Sequence, residues 1–189
     1  MHVEAAGRTD AAIARDLLRA AGLADAAIDA RADAVATAAA AAYEELCPAD
    51  LSAFVAPGVP AALEALAADP AVYRQALVTG NLEAIARRKL ASAGIGDHFA
   101  AGQGGFGSDA EDRSQLPAVA RARAGGWPRE RTVVIGDTPR DIACARADGV
   151  RVIGIATGPF PVEALADADA VVDAASALLP VLDDWAATG

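Results

Sequence analysis

The chain has 189 residues and a formal net charge of −10, and its length suits one α/β core with a small appended unit. Such an acidic protein lacks the basic face that binding to a nucleic-acid backbone requires. Hydrophobic residues make up 54% of the chain and aromatic residues only 4%, and much of the apolar content is alanine, which favours packed helices over a sandwich of short strands.

Targeting and membrane signals are weak in this sequence. The N-terminal segment mixes acidic and basic residues, so we expect no secretory signal. The alanine run at residues 38–42 is too short and too weakly apolar to cross a membrane. The two cysteines, Cys47 and Cys144, are far apart in sequence, and we expect both to be free, buried thiols. These features predict a cytoplasmic protein without a membrane partner.

The first part of the chain has a purely helical pattern. Apolar residues recur at helical spacing over residues 10–21, where Asp10 is a candidate cap, and over residues 25–46. No strand signal separates these two predicted helices. The pattern therefore predicts a helical unit at residues 1–50 and a different architecture over residues 51–189.

Strands and helices alternate from residue 74 onward, which is typical of a parallel sheet with right-handed crossovers. The predicted strands are residues 74–78, a short strand near 99, 133–135, 151–155 and 170–172. The predicted helices run from 59 through 66, from 82 to 93, from 113 to 124, through 144–147, briefly after 161, and from 175 to 185. The predicted fold class is α/β, a Rossmann-like parallel sheet flanked by helices.

The strand at residues 133–135 is central because two aspartates follow it. Its three β-branched residues predict a strand that is buried on both faces, and Gly136 ends it. Asp137 then lies at the carboxyl end of the strand, where open α/β sheets bind ligands, and Asp141 follows near the next helix. Two carboxylates in one crevice suggest a Mg²⁺ site for phosphate chemistry. Alternatively, Asp141 simply caps the helix.

A second polar turn follows an earlier predicted strand. Thr79 ends that strand as Asp137 ends its own, so parallel strands bring both to the same sheet edge. The Thr79 hydroxyl and the backbone N–H groups of Gly80 and Asn81, at a helix start, suit a phosphoryl oxygen. The alternative is an ordinary strand-to-helix turn with Asn81 as cap.

Together, residues 77–81 (Leu-Val-Thr-Gly-Asn) and 133–141 (Val-Val-Ile-Gly-Asp-Thr-Pro-Arg-Asp) resemble the haloacid dehalogenase (HAD) superfamily of phosphohydrolases. The chain resembles the phosphoglycolate-phosphatase-like members of this superfamily at Pro57-Gly58-Val59, Gly94 and Gly158. The early helices, with Gly7-Arg8-Thr9-Asp10, resemble the helical cap of those members. The resemblance implies a HAD-like core carrying a cap remnant. It also implies Mg²⁺-dependent hydrolysis of a small phosphorylated metabolite, such as a phosphoglycolate-like or sugar-phosphate-like phosphomonoester.

The resemblance also implies roles for individual residues. Asp137 is expected to bind the metal, and Asp141 to complete the acidic cluster directly or through water. Thr79 is expected to hydrogen-bond the transferring phosphoryl group. Arg8, Thr9 and Asp10 are either cap residues that touch substrate or plain helix caps, and the sequence favours the second interpretation.

The family places a lysine before the strand that ends at Asp137, and this chain departs from that pattern. Its one lysine, Lys89, falls in the helix after Thr79 and is predicted to be a solvated surface charge. Arg113 is the candidate replacement, with a guanidinium that can bind phosphate in a bidentate manner. The equal alternative is that Arg113 is a surface partner of Glu111 or Asp109.

A second departure concerns the nucleophile. The resemblance implies a first strand ending in Asp-x-Asp, whose first aspartate attacks phosphorus and whose second acts as acid and base. No such strand precedes Thr79 in this sequence. The expectation is therefore either a fragment, a misassigned start or a degenerate relative. The alternative function is a catalytically inactive protein that binds phosphate or a partner.

Overall fold

The predicted helical beginning forms three helices. A computed structural model describes residues 7–188, so positions 1–6 of the predicted helical unit lie outside the described residues. The helices are α1 (Asp10–Ala20), α2 (Asp25–Asp29) and α3 (Ala32–Leu46). The single helix predicted over residues 25–46 is wrong, because the chain leaves the helical conformation at Arg31, where φ is −122° and ψ is 3°. The buried Ile28 anchors the short α2.

The rest of the described chain follows the predicted alternation. After α4 (Val59–Ala68) come β1 (Val78–Thr79), α5 (Glu83–Ser92), β2 (Gly105–Phe106), α6 (Leu116–Arg123), β3 (Val133–Gly136), α7 (Pro139–Asp148), β4 (Arg151–Ile155), β5 (Ala170–Val172) and α8 (Leu178–Thr188). Short 3-10 helices lie at Ser52–Phe54, Gly96–His98, Arg113–Gln115, Arg129–Arg131, Val162–Leu165 and Ala175–Ala177.

The strands form two parallel sheets, which confirms the predicted α/β class. β1 pairs with β2, and β3, β4 and β5 pair in that order. β1 and β3 are therefore both edge strands within the part of the chain that the structure describes. Within the described residues, the strand that ends at Thr79 and the strand that leads to Asp137 belong to separate sheets.

Two of the predicted strands differ from the structure. The strand predicted over residues 74–78 shortens to β1, and the strand predicted near residue 99 is wrong, because residues 96–98 form a 3-10 helix. The second strand is instead β2, within the glycine-rich segment. A Cβ at Gly105 would collide with the Leu116 carbonyl, so β2 needs glycine for close packing against the start of α6.

The sheet of β3, β4 and β5 is covered on both faces. On one face Ile153 and Ile155 pack with α4 and α8, through residues that include Leu66 and Leu182. On the other face Val134 and Val152 belong to a second cluster with Ile142, Ala145, Val150 and Leu165. Burial on both sides explains why β4 reads as a continuous apolar run in the sequence.

Ile135 departs from the prediction that residues 133–135 are buried on both faces. Its side chain is 40% exposed, although Val134 beside it is buried. β3 has a neighbouring strand on one edge only, so cover over Ile135 is incomplete. The exposed isoleucine lies on the edge strand that leads to Asp137.

Both cysteines are free and buried, as predicted. Burial raises the pKa of Cys144 to about 11, and its thiol donates a hydrogen bond to the Arg113 carbonyl at 3.1 Å. Among residues 7–188, no helix has the length and apolar character needed to cross a membrane.

A buried ion pair fastens α7 to α6. The Asp148 side chain is 2% exposed and accepts two hydrogen bonds from Arg121, both at 2.7 Å. Arg129 lies 3.4 Å away but is more than half exposed, so it contributes little. The hydrogen bonds from Arg121 hold the pKa of Asp148 below its ordinary value.

We predict that Asp148→Asn lowers the free energy of unfolding by about 3 kcal/mol at pH 7, because Arg121 loses its buried counter-charge. The folded-state pKa of Asp148 is depressed, so its contribution is present above the unfolded pKa of about 3.9 and is lost as pH falls through the folded value. The difference between wild type and variant should therefore shrink in acid. Urea unfolding at pH 7 and at lower pH measures it.

The control for this prediction is Asp184→Asn, which removes an exposed carboxylate from α8. This variant should unfold within about 0.5 kcal/mol of wild type at both pH values. A similar stability for Asp148→Asn and Asp184→Asn at pH 7 would contradict the assignment of a stabilising buried pair.

Candidate active site

The backbone N–H groups in the turn after β1 donate hydrogen bonds to nearby side-chain oxygens. The Asn81 N–H donates to Thr79 Oγ1 at 3.2 Å, and the Leu82 N–H donates to Asp10 Oδ2 at 2.8 Å. The Glu83 N–H donates to Ser108 Oγ at 3.3 Å. The N-terminus of α5 is therefore capped by protein side chains, including a carboxylate that suits the positive end of the helix dipole. The Asn81 N–H, predicted to face an open crevice, already has an acceptor.

Gly80 makes a close backbone contact that no other residue type allows. A Cβ at this position would collide with the Arg8 carbonyl and come within 2.9 Å of Thr9 Cα. The Asp10 N–H donates to the Gly80 carbonyl at 2.7 Å. The segment that opens α1 is thereby fixed against the turn after β1.

Thr9, not Asp10, is the N-cap of α1. Its hydroxyl accepts from the Ala12 N–H at 3.1 Å and donates to the Glu111 carbonyl at 2.7 Å, and its side chain is buried. The prediction that Asp10 caps α1 is therefore wrong, because its carboxylate caps α5 instead. A local capping pattern cannot predict this contact, because Asp10 and the start of α5 are about 70 positions apart in sequence.

Asp141 is buried at the start of α7, with both carboxylate oxygens bonded. Oδ2 accepts from the Thr138 N–H at 3.1 Å and from the Thr138 hydroxyl at 2.8 Å, which completes a capping box. Oδ1 accepts from Arg113 Nη2 at 2.5 Å. A Cβ at Gly136 would clash with the Asp141 side chain, so the carboxylate lies against the end of β3. Asp141 is thus a helix cap and part of a charged cluster at once.

Arg113 pairs with Asp141 and with neither Glu111 nor Asp109, the two predicted alternative partners. Glu111 binds Arg15 at 2.8 Å, and Asp109 binds Arg123 at 2.6 Å. The guanidinium of Arg113 is largely buried, and its Nε has no hydrogen-bond partner within residues 7–188. A cation with an unused buried donor therefore lies beside the aspartates that follow β3.

Asp137 is half-buried at the end of β3. Burial raises the pKa of Asp137 above its ordinary value, the negative charge of Asp141 raises it further, and the charge of Arg113 opposes both. A Cβ at Gly158 would lie against the Asp137 carboxylate, so the loop after β4 approaches it closely. The glycine leaves room for the carboxylate between β3 and that loop.

Residues 7–9 connect the two strand ends. Gly80, after β1, lies against Arg8 and Thr9, whereas a Cβ at Gly7 would come within 3.1 Å of Thr138 Oγ1, after β3. One segment of chain therefore touches both the β1 end and the β3 end.

The donor set at this edge suits a hard cation. Asp137 offers a partly exposed carboxylate, and the nearby Asp141 adds a second negative charge. Mg²⁺ is commonly bound through one or two carboxylates together with waters and substrate phosphate. No group of three or more His, Cys, Asp or Glu residues that could hold a metal occurs within residues 7–188. Of the two aspartates, Asp137 is the more accessible, because Asp141 is buried.

Residues 2–146 match the haloacid dehalogenase-like hydrolase family, and residues 113–181 match a HAD-hydrolase-like family. The first match covers more than half of the chain. The chain therefore belongs to the haloacid dehalogenase-like hydrolases.

The fold is similar to a solved structure of a conserved haloacid dehalogenase-like protein of unknown function from Agrobacterium tumefaciens. That similarity has a TM-score of 0.55 at 22% sequence identity and covers 69% of this chain. The chain spans 61% of the length of that structure. No curated protein matches the chain. The comparison supports the fold and carries no information on substrate.

We predict that Arg113→Met lowers the free energy of unfolding by about 3 kcal/mol, because it leaves the buried Asp141 without its cation. Asp141→Asn should also destabilise the protein. If the pair interacts as described, the double variant should be less destabilised than the sum of the two single variants. Urea unfolding of the four proteins measures this coupling, and additive effects would contradict it.

Proposed function

We propose that this hydrolase acts on a small phosphomonoester in a Mg²⁺-dependent reaction. The observation that carries the proposal is the cluster of Asp137, Asp141 and Arg113, at a strand end linked by residues 7–9 to the Thr79 turn. An acidic pair for a cation beside hydroxyl and guanidinium donors for an anion suits a metal-bound phosphoryl group.

In this proposal Asp137 is the carboxylate that holds Mg²⁺. Its raised pKa reflects burial and the repulsion from Asp141, and a bound cation relieves that repulsion. Asp141 has both oxygens engaged, so it orients Arg113 and adds charge, acting on the metal through water. The metal, when bound, neutralises charge on the phosphoryl group.

The donors for the phosphoryl group are Thr79 and Arg113. Arg113 has a buried Nε without a partner within residues 7–188, which leaves it a donor beyond its bond to Asp141. The Thr79 hydroxyl accepts from the Asn81 N–H and keeps its own proton to donate. We propose that the backbone of Gly80 and Asn81 contributes by shaping this turn around the bound anion.

The proposed substrate is a small phosphorylated metabolite, phosphoglycolate-like or sugar-phosphate-like, and the proposed location is the cytoplasm. The net charge of −10 disfavours nucleic acid, and a local cation explains how an acidic protein holds a phosphate. Two free, buried thiols fit a reducing compartment.

A second candidate function is phosphate or partner binding without turnover. It is favoured by one observation: no strand within residues 7–188 ends in Asp-x-Asp, the nucleophile motif that the family resemblance implies. None of the described residues is therefore assigned the attack on phosphorus. The two candidates share the metal and anion site, and they differ in turnover.

The test separates metal binding from turnover. Titration of the protein with Mg²⁺, followed by calorimetry, should show binding that Asp137→Asn weakens at least about tenfold, because a ligand is lost. Hydrolysis of p-nitrophenyl phosphate should depend on Mg²⁺ and disappear in Asp137→Asn. Asp33→Asn, which changes an exposed carboxylate of α3, is the matched control and should behave as wild type.

The outcomes distinguish the candidates. Turnover that is lost in Asp137→Asn supports the hydrolase. Binding of Mg²⁺ and inorganic phosphate with no turnover supports the second candidate. The absence of both binding and turnover would refute both candidates.

We further predict that Gly158→Ala weakens Mg²⁺ binding about tenfold while the unfolding midpoint changes little, because the new methyl group displaces the Asp137 carboxylate and leaves the rest of the core untouched. Calorimetry and thermal unfolding measure the two effects. An unchanged affinity for Mg²⁺ in a folded Gly158→Ala variant would contradict the assignment of Asp137 as the ligand.

A further inference from the structure

Lys89 is bonded into the turn after β1, which corrects its prediction as a solvated surface charge. Its ammonium group donates to Asn81 Oδ1 at 2.9 Å, and it lies 5.3 Å from the centroid of the Tyr43 ring on α3. The side chain is partly buried. Lys89 therefore joins α5, the turn and the helical unit at one point.

Asn81 lies at the centre of this arrangement. Its amide nitrogen donates to Asp10 Oδ1 at 3.0 Å, while its amide oxygen accepts from Lys89. Asp10 also caps α5 through Leu82 and donates its own N–H to the Gly80 carbonyl. Both ends of the Asn81 amide are held by charged groups, one from α1 and one from α5.

Hydrogen bonds to the charged groups of Asp10 and Lys89 fix the rotamer of Asn81 more firmly than hydrogen bonds to neutral groups would. Hydrogen bonds to ionised groups are shorter and stronger than neutral bonds, and here one charge accepts while the other donates. Because the two partners demand opposite ends of the amide, the Asn81 side chain is held in one orientation. Its backbone carries the N–H that bonds Thr79 Oγ1, so the orientation of the Thr79 hydroxyl depends on the same residue.

We propose that Asp10 and Lys89 are positioning residues that hold Asn81 and so preset the Thr79–Gly80–Asn81 turn for a phosphoryl group. The proposal deepens the proposed function and rests on it for the identity of the ligand. It also gives the helical unit a role at the sheet edge, since Asp10 and Tyr43 both belong to that unit. Neither residue needs to touch the ligand.

The hydrogen bond between Lys89 and Asn81 can be tested without any ligand. Lys89 is the only lysine of the chain, so protein grown with lysine labelled by ¹³C at Cε gives a single lysine side-chain NMR signal. Asn81→Ala should move this signal, because the ammonium group loses its acceptor. Ser108→Ala, which changes a different cap of α5, is the control and should leave the signal in place.

The consequence for binding is tested with inorganic phosphate in the presence of Mg²⁺, by calorimetry. Lys89→Met should weaken phosphate binding about tenfold, because one charged hydrogen bond that fixes the turn is lost. Lys89→Arg should restore most of the affinity. Arg88→Met removes the neighbouring cation, which pairs with Glu44 of α3 and not with the turn, and should bind phosphate as wild type does.

The results separate this proposal from the proposed function. A lysine signal that Asn81→Ala does not move would show that Lys89 does not hold Asn81, whatever the wild type binds. Equal phosphate affinity for wild type and Lys89→Met would overturn the positioning role. If the wild type binds no phosphate at all, the proposed function fails, and the lysine signal alone decides whether Lys89 holds Asn81.

Discussion

The close backbone contact between Gly80 and the segment at Arg8 and Thr9 is the constraint on which the candidate site depends. The Asp10 N–H donates to the Gly80 carbonyl at 2.7 Å, and a Cβ at Gly80 would not fit. The same segment lies against Thr138 on its other side through Gly7. β1 and β3 belong to separate sheets. Contact with this segment is therefore what connects their carboxyl ends. The Thr79 turn and Thr138, the residue after Asp137, therefore both lie against residues 7–9.

Electrostatics then determine what this edge can hold. Two aspartates follow β3, and Arg113 pairs with Asp141, while burial and the charge of Asp141 raise the pKa of Asp137. The hydrogen bond from Arg113 to Asp141 fixes the guanidinium, and Nε has no partner within residues 7–188. In the proposed function, a cation at Asp137 offsets the repulsion between the two carboxylates, and a phosphoryl group finds donors on Thr79 and Arg113. Metal and phosphate are expected to bind more strongly together than alone, because each neutralises the charge that repels the other.

Local pattern was sufficient where burial on both faces dictates sequence. The strands β4 and β5 were predicted with their observed bounds, since continuous β-branched runs have few alternatives. The strand β2 was missed because it consists of glycine and phenylalanine, and its glycine is required by contact with Leu116 from another element. In the site, the positions at strand ends indicated Thr79, Asp137 and Asp141, and the family resemblance indicated Arg113 in place of a lysine; the roles of all four stay predictions. The parts played by Asp10 and Lys89 were missed, because they arise from contacts with Asn81 that tertiary packing creates.

The proposed function requires the turn after β1 to lie beside the proposed metal position at Asp137. Mn²⁺ replaces Mg²⁺ at carboxylate sites and broadens the NMR signals of nearby nuclei. In protein labelled with ¹⁵N, sub-stoichiometric Mn²⁺ should broaden the amide signals of Thr79 and Gly80 together with that of Thr138, and Asp137→Asn should abolish the effect. The amide of Gly22, between α1 and α2, should stay sharp. Broadening at Thr138 with sharp signals at Thr79 and Gly80 would contradict the account, because the two strand ends would then not share one site.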